Sequence, residues 1–178
     1  MRVLEVAREA GVSVGILYYY FTDRAGLLAA TFAHINERAG IYTREGPQPA
    51  TAVERARLLL LGELQDRPEV IENSSAWGEL RASAIFEQAL REPLASATTE
   101  WVVDIANLLA LAQREGGVAR DVDVVVAAEM LTALVEGLSN RWLSGSITLE
   151  RALEILDGAF ERECRLAETR IAETGSAA

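Results

Sequence analysis

An all-α chain is what this sequence predicts, and three observations carry the prediction. Apolar residues recur at helical spacing through almost the whole length. No sustained alternation bounded by turn residues marks a strand. Gly, Pro, Ser, Thr and Asp punctuate the periodic stretches where helices start and stop. No repeat of roughly 20 to 50 residues appears, which argues against a solenoid. At 178 residues, half of them hydrophobic, the chain is long enough for one or two compact units with a real core.

The first helix carries Val6, Ala7 and Ala10 and stops at Gly11, a residue free to take the left-handed conformation that closes a helix. Ser13 offers its hydroxyl as N-cap to a second helix, about 13–21. Within it Ile16, Leu17, Tyr20 and Phe21 can pack inward, leaving Val14, Gly15, Tyr18 and Tyr19 freer. Asp23 caps a third helix over 24–39, with Leu27, Leu28, Thr31, Phe32 and Ile35 as its buried stripe and Gly40 as its end. His34 lies in that helix without a neighbouring Cys, His or carboxylate pair, so an ordinary surface role is expected rather than a ligand role. Glu45-Gly-Pro-Gln-Pro49 reads as a loop and is the clearest boundary, dividing the chain into residues 1–40 and 41–178.

Beyond that boundary, residues 51–66 form a helix that Val53, Leu58, Leu59, Leu60, Leu61 and Leu64 make apolar around much of its circumference, which predicts a place inside the domain. Pro68 opens a shorter segment, and the pattern resumes over 75–90 with Trp77, Leu80, Ala84 and Ile85. Pro93 suits the first turn of a helix that carries Trp101, Val102, Ile105, Leu108, Leu109 and Leu111 to Glu115 and ends at Gly116-Gly117. Asp121 begins the next, which holds Val124, Ala127, Ala128, Leu131, Leu134, Val135 and Leu138 and reaches about Trp142. After the turn Leu143-Ser-Gly-Ser146, Thr148 caps a last helix striped by Leu149, Leu153, Leu156, Ala159, Phe160 and Cys164. No capping box forms there, because Arg151 stands where an acceptor side chain is needed. The tail 174–178 is expected to fray.

Charge and chemistry narrow the function classes. The net charge is −10, yet residues 1–24 balance Arg2, Arg8 and Arg24 against Glu5, Glu9 and Asp23, so the acidity belongs to the remainder. All 17 basic residues are Arg, a trace of GC-rich coding and hence of a bacterium of that kind. No apolar run approaches the ~20 residues of a bilayer span and no secretory leader is visible, which predicts a soluble, cytoplasmic chain without a membrane partner. The single cysteine, Cys164, fits a reducing compartment. One His and one Cys on different helices make no triad or metal site, and no glycine-rich phosphate loop follows a strand. Glu69, Glu72 and Glu79 lack the Glu-x-x-His pairing of di-metal bundles. An enzyme, a cofactor and a metal are therefore not expected.

Helix, glycine turn, helix is the arrangement that lays a second helix in the DNA major groove. The order GVSVGILYYYF followed by TDRAGLL closely resembles the recognition helix and following helix of the TetR family of bacterial transcriptional repressors. The resemblance implies an N-terminal helix-turn-helix domain, residues 1–40, and a helical effector-binding and dimerisation domain, residues 41–178. It places Ser13, Val14, Gly15 and Ile16 at the groove-facing start of the recognition helix. It gives Tyr18, Tyr19 and Tyr20 phenols for phosphate oxygens and Arg24 a charge for the next phosphate. Where the family usually has Thr and often Lys, this chain has Ile16 and Val14, so methyl contacts with thymine are the expected groove chemistry. Family members also carry a helix ahead of the one that begins near Arg2, so a start set too late or further upstream residues are expected.

Ala112-Gln-Arg-Glu-Gly-Gly-Val-Ala-Arg-Asp-Val-Asp123, Leu134-Val-Glu-Gly-Leu138 and Ile147-Thr-Leu-Glu-Arg-Ala152 are similar to the regulatory domain of TetR-family repressors, including the subgroup of the choline-responsive regulator of betaine synthesis. In that family the last two helices pair with their copies in a second subunit. This implies a homodimer through Ala127, Ala128, Leu131, Leu134, Leu138, Ala152, Leu156 and Ala159, reading a pseudo-palindromic operator in double-stranded DNA. Trp77, Phe86 and Trp101 are the candidate walls of an effector pocket, and Asn107, Glu136 and Asn140 its candidate polar groups, for a small molecule expected to be largely apolar. The alternative function is an all-helical dimeric ligand sensor or protein-interaction module that has lost DNA binding.

Overall fold

The computed structural model describes residues 3–42 and 49–165. Three helices make the N-terminal unit: α1 (Val3–Glu9), α2 (Val14–Phe21) and α3 (Arg24–Tyr42). The body adds α4 (Ala52–Leu61), α5 (Pro68–Ala84), a 3-10 turn (Gln88–Leu90), α6 (Arg91–Glu115), α7 (Val124–Leu143) and α8 (Leu149–Cys164). No strand occurs among the described residues.

Local chemistry sets most of these boundaries. Gly11 sits at φ 65°, and the Val12 amide donates to the Ala7 carbonyl at 3.0 Å, closing α1 as its left-handed cap predicts. Gly116 ends α6 at φ 84°. Ser13 and Thr148 cap α2 and α8 by accepting from Ile16 N and Arg151 N, each at 3.2 Å. Thr51 and Glu54 close a reciprocal capping box on α4.

Four expectations move. α3 runs through Gly40 to Tyr42, since a glycine costs a helix only about 1 kcal/mol and nothing else stops it there. α4 ends at Leu61, with Leu58 50% exposed, so this helix is buried on one side and not all round. α5 is continuous from Pro68, because the polar Asn73 that interrupts the apolar pattern is itself buried. α7 starts at Val124, three residues later than Asp121, under an Asp123 cap whose carboxylate accepts from Val125 N and Val126 N. The Pro-rich loop falls mostly, and the 174–178 tail wholly, outside the described residues.

The main core joins α4, α6, α7 and α8 through Leu60, Ile105, Leu109, Leu131, Leu156 and Phe160, all at most 1% exposed. α6 with the turn before it is, by length and composition, the one described helix long and apolar enough to cross a bilayer. Here it is the central helix of the body, packed on α4 and α7, with Glu100 and Asp104 interrupting its apolar surface. A second, smaller cluster bridges the two units: Leu28 and Phe32 of α3 meet Ala84, Leu90 and Ala97, with Trp77, Leu80 and Leu94 packed around them. Through it α3 is fastened to the body.

Cys164 is fully buried, and burial pushes its thiol up to about 12. The folded chain should therefore react with a thiol-specific disulfide reagent at pH 8 only after denaturant opens it; rapid stoichiometric labelling of the native protein would contradict this packing. The sign of the linkage follows from the raised value. Above the ordinary thiol value of 9.0 the unfolded chain loses this proton and the folded chain keeps it, so stability declines as pH rises past that point.

Candidate functional site

α2 buries little besides Leu17 and leaves an aromatic face outward: Ile16 is 46% exposed, Tyr18 39%, Tyr19 82% and Tyr20 73%. Ile16 and Tyr20 therefore do not pack inward as their spacing allowed; Leu17 is buried and Phe21 half-buried on the inner side of α2 instead. Ser13 and Gly15 are exposed, and Val14 is half-buried at the start of the same helix. A Cβ added at Gly15 would meet only the Ser13 hydroxyl at 3.7 Å, an ordinary contact. The fold itself therefore does not require glycine there, whereas close approach of another backbone would. Tyr19 and Tyr20 stand edge to face, ring centroids 5.4 Å apart, which restrains both phenols on one side of the helix.

The α2–α3 turn is tightly built. Asp23 accepts from Gly26 N at 2.8 Å and Leu27 N donates to the Asp23 carbonyl at 3.1 Å, while Thr22 takes φ 66°. Arg24, the expected phosphate contact, pairs with Glu87 at the start of the 3-10 turn, so it links the N-terminal unit and the body. Its guanidinium holds the Glu87 carboxyl below the usual carboxylate range.

A cavity of about 250 Å³ opens between α4, α5, α6 and α7. Of the six candidate pocket residues, Trp77, Trp101, Glu136 and Asn140 line it and Phe86 and Asn107 do not. Phe86 is 87% exposed just past the end of α5, and Asn107 sits on the exposed side of α6. Sequence reasoning missed Arg81, Glu63, Glu100 and Asp104, which also line the cavity. Arg81, Glu100 and Asp104 are charged residues on helices and Glu63 lies in the turn after α4, and spacing alone gives such residues a solvated face. Arg81 pairs with Glu136, and its guanidinium carbon lies 4.9 Å from the centre of the Trp77 ring. Ser139 also lines the cavity, with a buried hydroxyl that has no hydrogen-bond partner among the described residues. The far side of Trp77 touches Phe32 of α3, ring centroids 5.5 Å apart, so one side chain borders both cavity and junction. No cluster able to hold a metal ion gathers among the described residues, Glu69, Glu72 and Glu79 included.

The expected dimer residues separate. Ala127, Ala128, Leu131, Leu138, Ala152, Leu156 and Ala159 are at most 7% exposed within the single chain, so they build its own core and offer a second copy almost no surface. Leu134 alone is half-exposed. α7 is apolar on both sides. Its outward side carries Val125 at 50%, Val126 at 47% and Met130 at 51% exposure, followed by exposed Ala133 and Gly137.

Known proteins with the same features now bear on the site. The N-terminal model of bacterial regulatory proteins of the tetR family matches residues 1–31, and the C-terminal model of BetI-type transcriptional repressors matches residues 49–165. The HTH-type transcriptional regulator BetI of Cronobacter sakazakii is 35% identical over 92 residues, which cover 49% of this chain and 45% of that protein, so the chain spans about half the length of this relative. The structure of a TetR-family transcriptional regulator from Rhodococcus sp. is 51% identical, with a TM-score of 0.86 over 92% of this chain and 87% of that one. A transcriptional regulator from Saccharomonospora viridis, solved in complex with choline, shares the fold at a TM-score of 0.73 and 24% identity, over 94% of this chain and 87% of that one. These relatives are regulators of transcription, not enzymes. With models of both the tetR N-terminal domain and the BetI-type C-terminal domain matching, the chain belongs to the TetR family of transcriptional regulators.

Proposed function

We propose that this chain acts in the cytoplasm as a homodimeric repressor that reads a pseudo-palindromic operator through α2 and leaves it when a small organic cation enters the body cavity. The observation that carries the DNA reading is the outward face of α2, where Ile16 and the phenols of Tyr18, Tyr19 and Tyr20 stand exposed beside an open Gly15. Aromatic side chains left outward on a short helix have nothing to gain in the folded monomer. Against DNA the phenols donate to phosphate and Ile16 meets a thymine methyl.

Two details of the family expectation change. The dimer face we propose is the outward stripe of α7, Val126, Met130, Ala133 and Gly137, whose spacing puts these residues on one side of the helix and whose small residues admit a second helix closely. The effector is not purely apolar, because Glu63, Glu100, Asp104 and Glu136 outnumber Arg81 around the two tryptophan rings. Indole faces and carboxylates together favour a positively charged group bearing apolar substituents, and the Ser139 hydroxyl favours a polar atom on it. The choline found in the Saccharomonospora viridis regulator has that chemistry. Such a ligand acts on DNA binding only through its different affinity for two arrangements of the reading heads. Trp77 on Phe32 supplies the contact through which α3 responds.

Anisotropy of a labelled duplex tests the reading head. Tyr19→Ala should weaken binding to many sequences alike by about ten-fold, whereas Ile16→Thr should change which sequence is preferred. Glu87→Gln, which releases Arg24 toward phosphate, should strengthen binding a few-fold and steepen the salt dependence by about one unit of slope. Unaltered binding in all three variants would remove α2 and its turn from DNA recognition.

A further inference from the structure

Among the described residues Arg81 is the one basic side chain that lines the cavity, and it already uses what a cationic effector needs. Its guanidinium pairs with the Glu136 carboxylate and lies over the Trp77 ring at 4.9 Å. A guanidinium and an alkylammonium are attracted to an indole face by the same quadrupole, and to a carboxylate by the same charge, so both cannot hold one ring face and one carboxylate at full strength. We infer that Arg81 is an internal competitor for the effector's cationic group, displaced from Trp77 and Glu136 when the effector binds. This rests on the cationic-effector reading above and adds to it the residue that sets the cavity's affinity and selectivity.

Three features of the site fit an exchange and not a fixed wall. The Arg81 and Glu136 side chains keep 24% and 23% of their exposure, so the guanidinium has a route out of the pair without unfolding a helix. Glu63, Glu100 and Asp104 also line the cavity, so a displaced guanidinium meets further carboxylates and the charge balance tolerates a second cation. Arg81 and Trp77 share α5, and Trp77 carries the contact to Phe32 of α3. Replacing a guanidinium tethered to α5 by a free cation therefore unties α5 from α7 at the place where the cavity meets the reading head. A competitor of this kind also selects: a weakly held cation does not displace a tethered guanidinium, and an anionic or purely apolar molecule gains nothing from Trp77 and Glu136 that Arg81 does not already take.

Tryptophan fluorescence titrated with tetramethylammonium chloride, against sodium chloride at equal ionic strength, reads the exchange. The unaltered chain should bind saturably, and Arg81→Gln, which keeps a polar side chain but is shorter and carries no charge, should bind about ten-fold more tightly. Arg81→Lys, which keeps a cation in the cavity, should restore weak binding. Equal or weaker binding by Arg81→Gln would overturn the competitor role while leaving a cationic effector standing. Absence of saturable binding in both the unaltered chain and Arg81→Gln would overturn the cationic reading itself. A second readout needs no destabilising change: the Arg81 Nε–Hε resonance of the unaltered chain, assigned by its loss in Arg81→Lys, should move as tetramethylammonium saturates the site. A resonance that stays in place at saturation contradicts displacement.

Discussion

Gly26→Ala should abolish most of the chain's affinity for DNA while leaving the body folded. Gly26 lies in the first turn of α3, where the carbonyl of Phe21, the last residue of α2, comes down on its Cα. A Cβ placed there would stand 1.9 Å from that oxygen and 3.1 Å from its carbon. Both atoms are backbone, so no rotamer change relieves the clash. The turn has no slack to absorb it either. The Gly26 amide donates to Asp23 at 2.8 Å, Leu27 N donates to the Asp23 carbonyl at 3.1 Å, and Thr22 already holds a positive φ. Relief requires α2 to move away from α3, at a cost of order 1–3 kcal/mol or more, and α2 is the helix proposed to enter the groove. We expect at least a ten-fold loss of operator affinity, with helical circular dichroism and the melting of the body nearly unchanged. Wild-type affinity in Gly26→Ala would mean that the turn is not held as described.

The second large effect is on stability. Phe160 is 1% exposed on α8, where it completes the core shared with α4, α6 and α7. Arg57 of α4 reaches α8 nearby, donating from Nε to Asp157 at 2.6 Å, so the side chain sits under a fixed helix pair that cannot easily collapse onto a void. Phe160→Ala should destabilise the chain by about 3–5 kcal/mol and lower its melting temperature by roughly 10 °C. Leu58→Ala, on the same bundle but 50% exposed, is the control and should change stability by less than about 1 kcal/mol. Comparable losses in the two variants would show that burial in the single chain does not decide stability.

The features read correctly from sequence are those decided within a few residues. Gly11, Ser13, Gly116 and Thr148 act through their own φ values or hydroxyls, and the structure places them as caps for those reasons. The head was legible because its order of glycine, serine and tyrosines fixes a turn and a helix together. What failed needed a second element. α7 carries apolar residues on both sides, and nothing in its spacing says which side its own chain takes; Ala128, Leu131 and Leu138 went inward, leaving Val126 and Met130 outward. Ile16 and Tyr20 are apolar enough to pack, but the inner side of so short a helix is taken by buried Leu17 and half-buried Phe21. Arg81 and Asp104 line one cavity only because α5 and α6 cross beside α7, and the spacing within each helix does not show which sides the three turn toward one another. Gly26 looks like an unremarkable residue of a helical motif until the Phe21 carbonyl is seen against it.

The central claim is that the DNA-reading face and the acidic, tryptophan-walled cavity belong to one switch. Anisotropy of a labelled duplex from the promoter region of the chain's own gene, titrated with tetramethylammonium chloride against sodium chloride at equal ionic strength, tests it most directly. Salt-dependent binding that the organic cation reverses saturably, beyond any effect of sodium, is the expected result. Binding that falls equally with both salts, or no binding at any salt concentration, would contradict it.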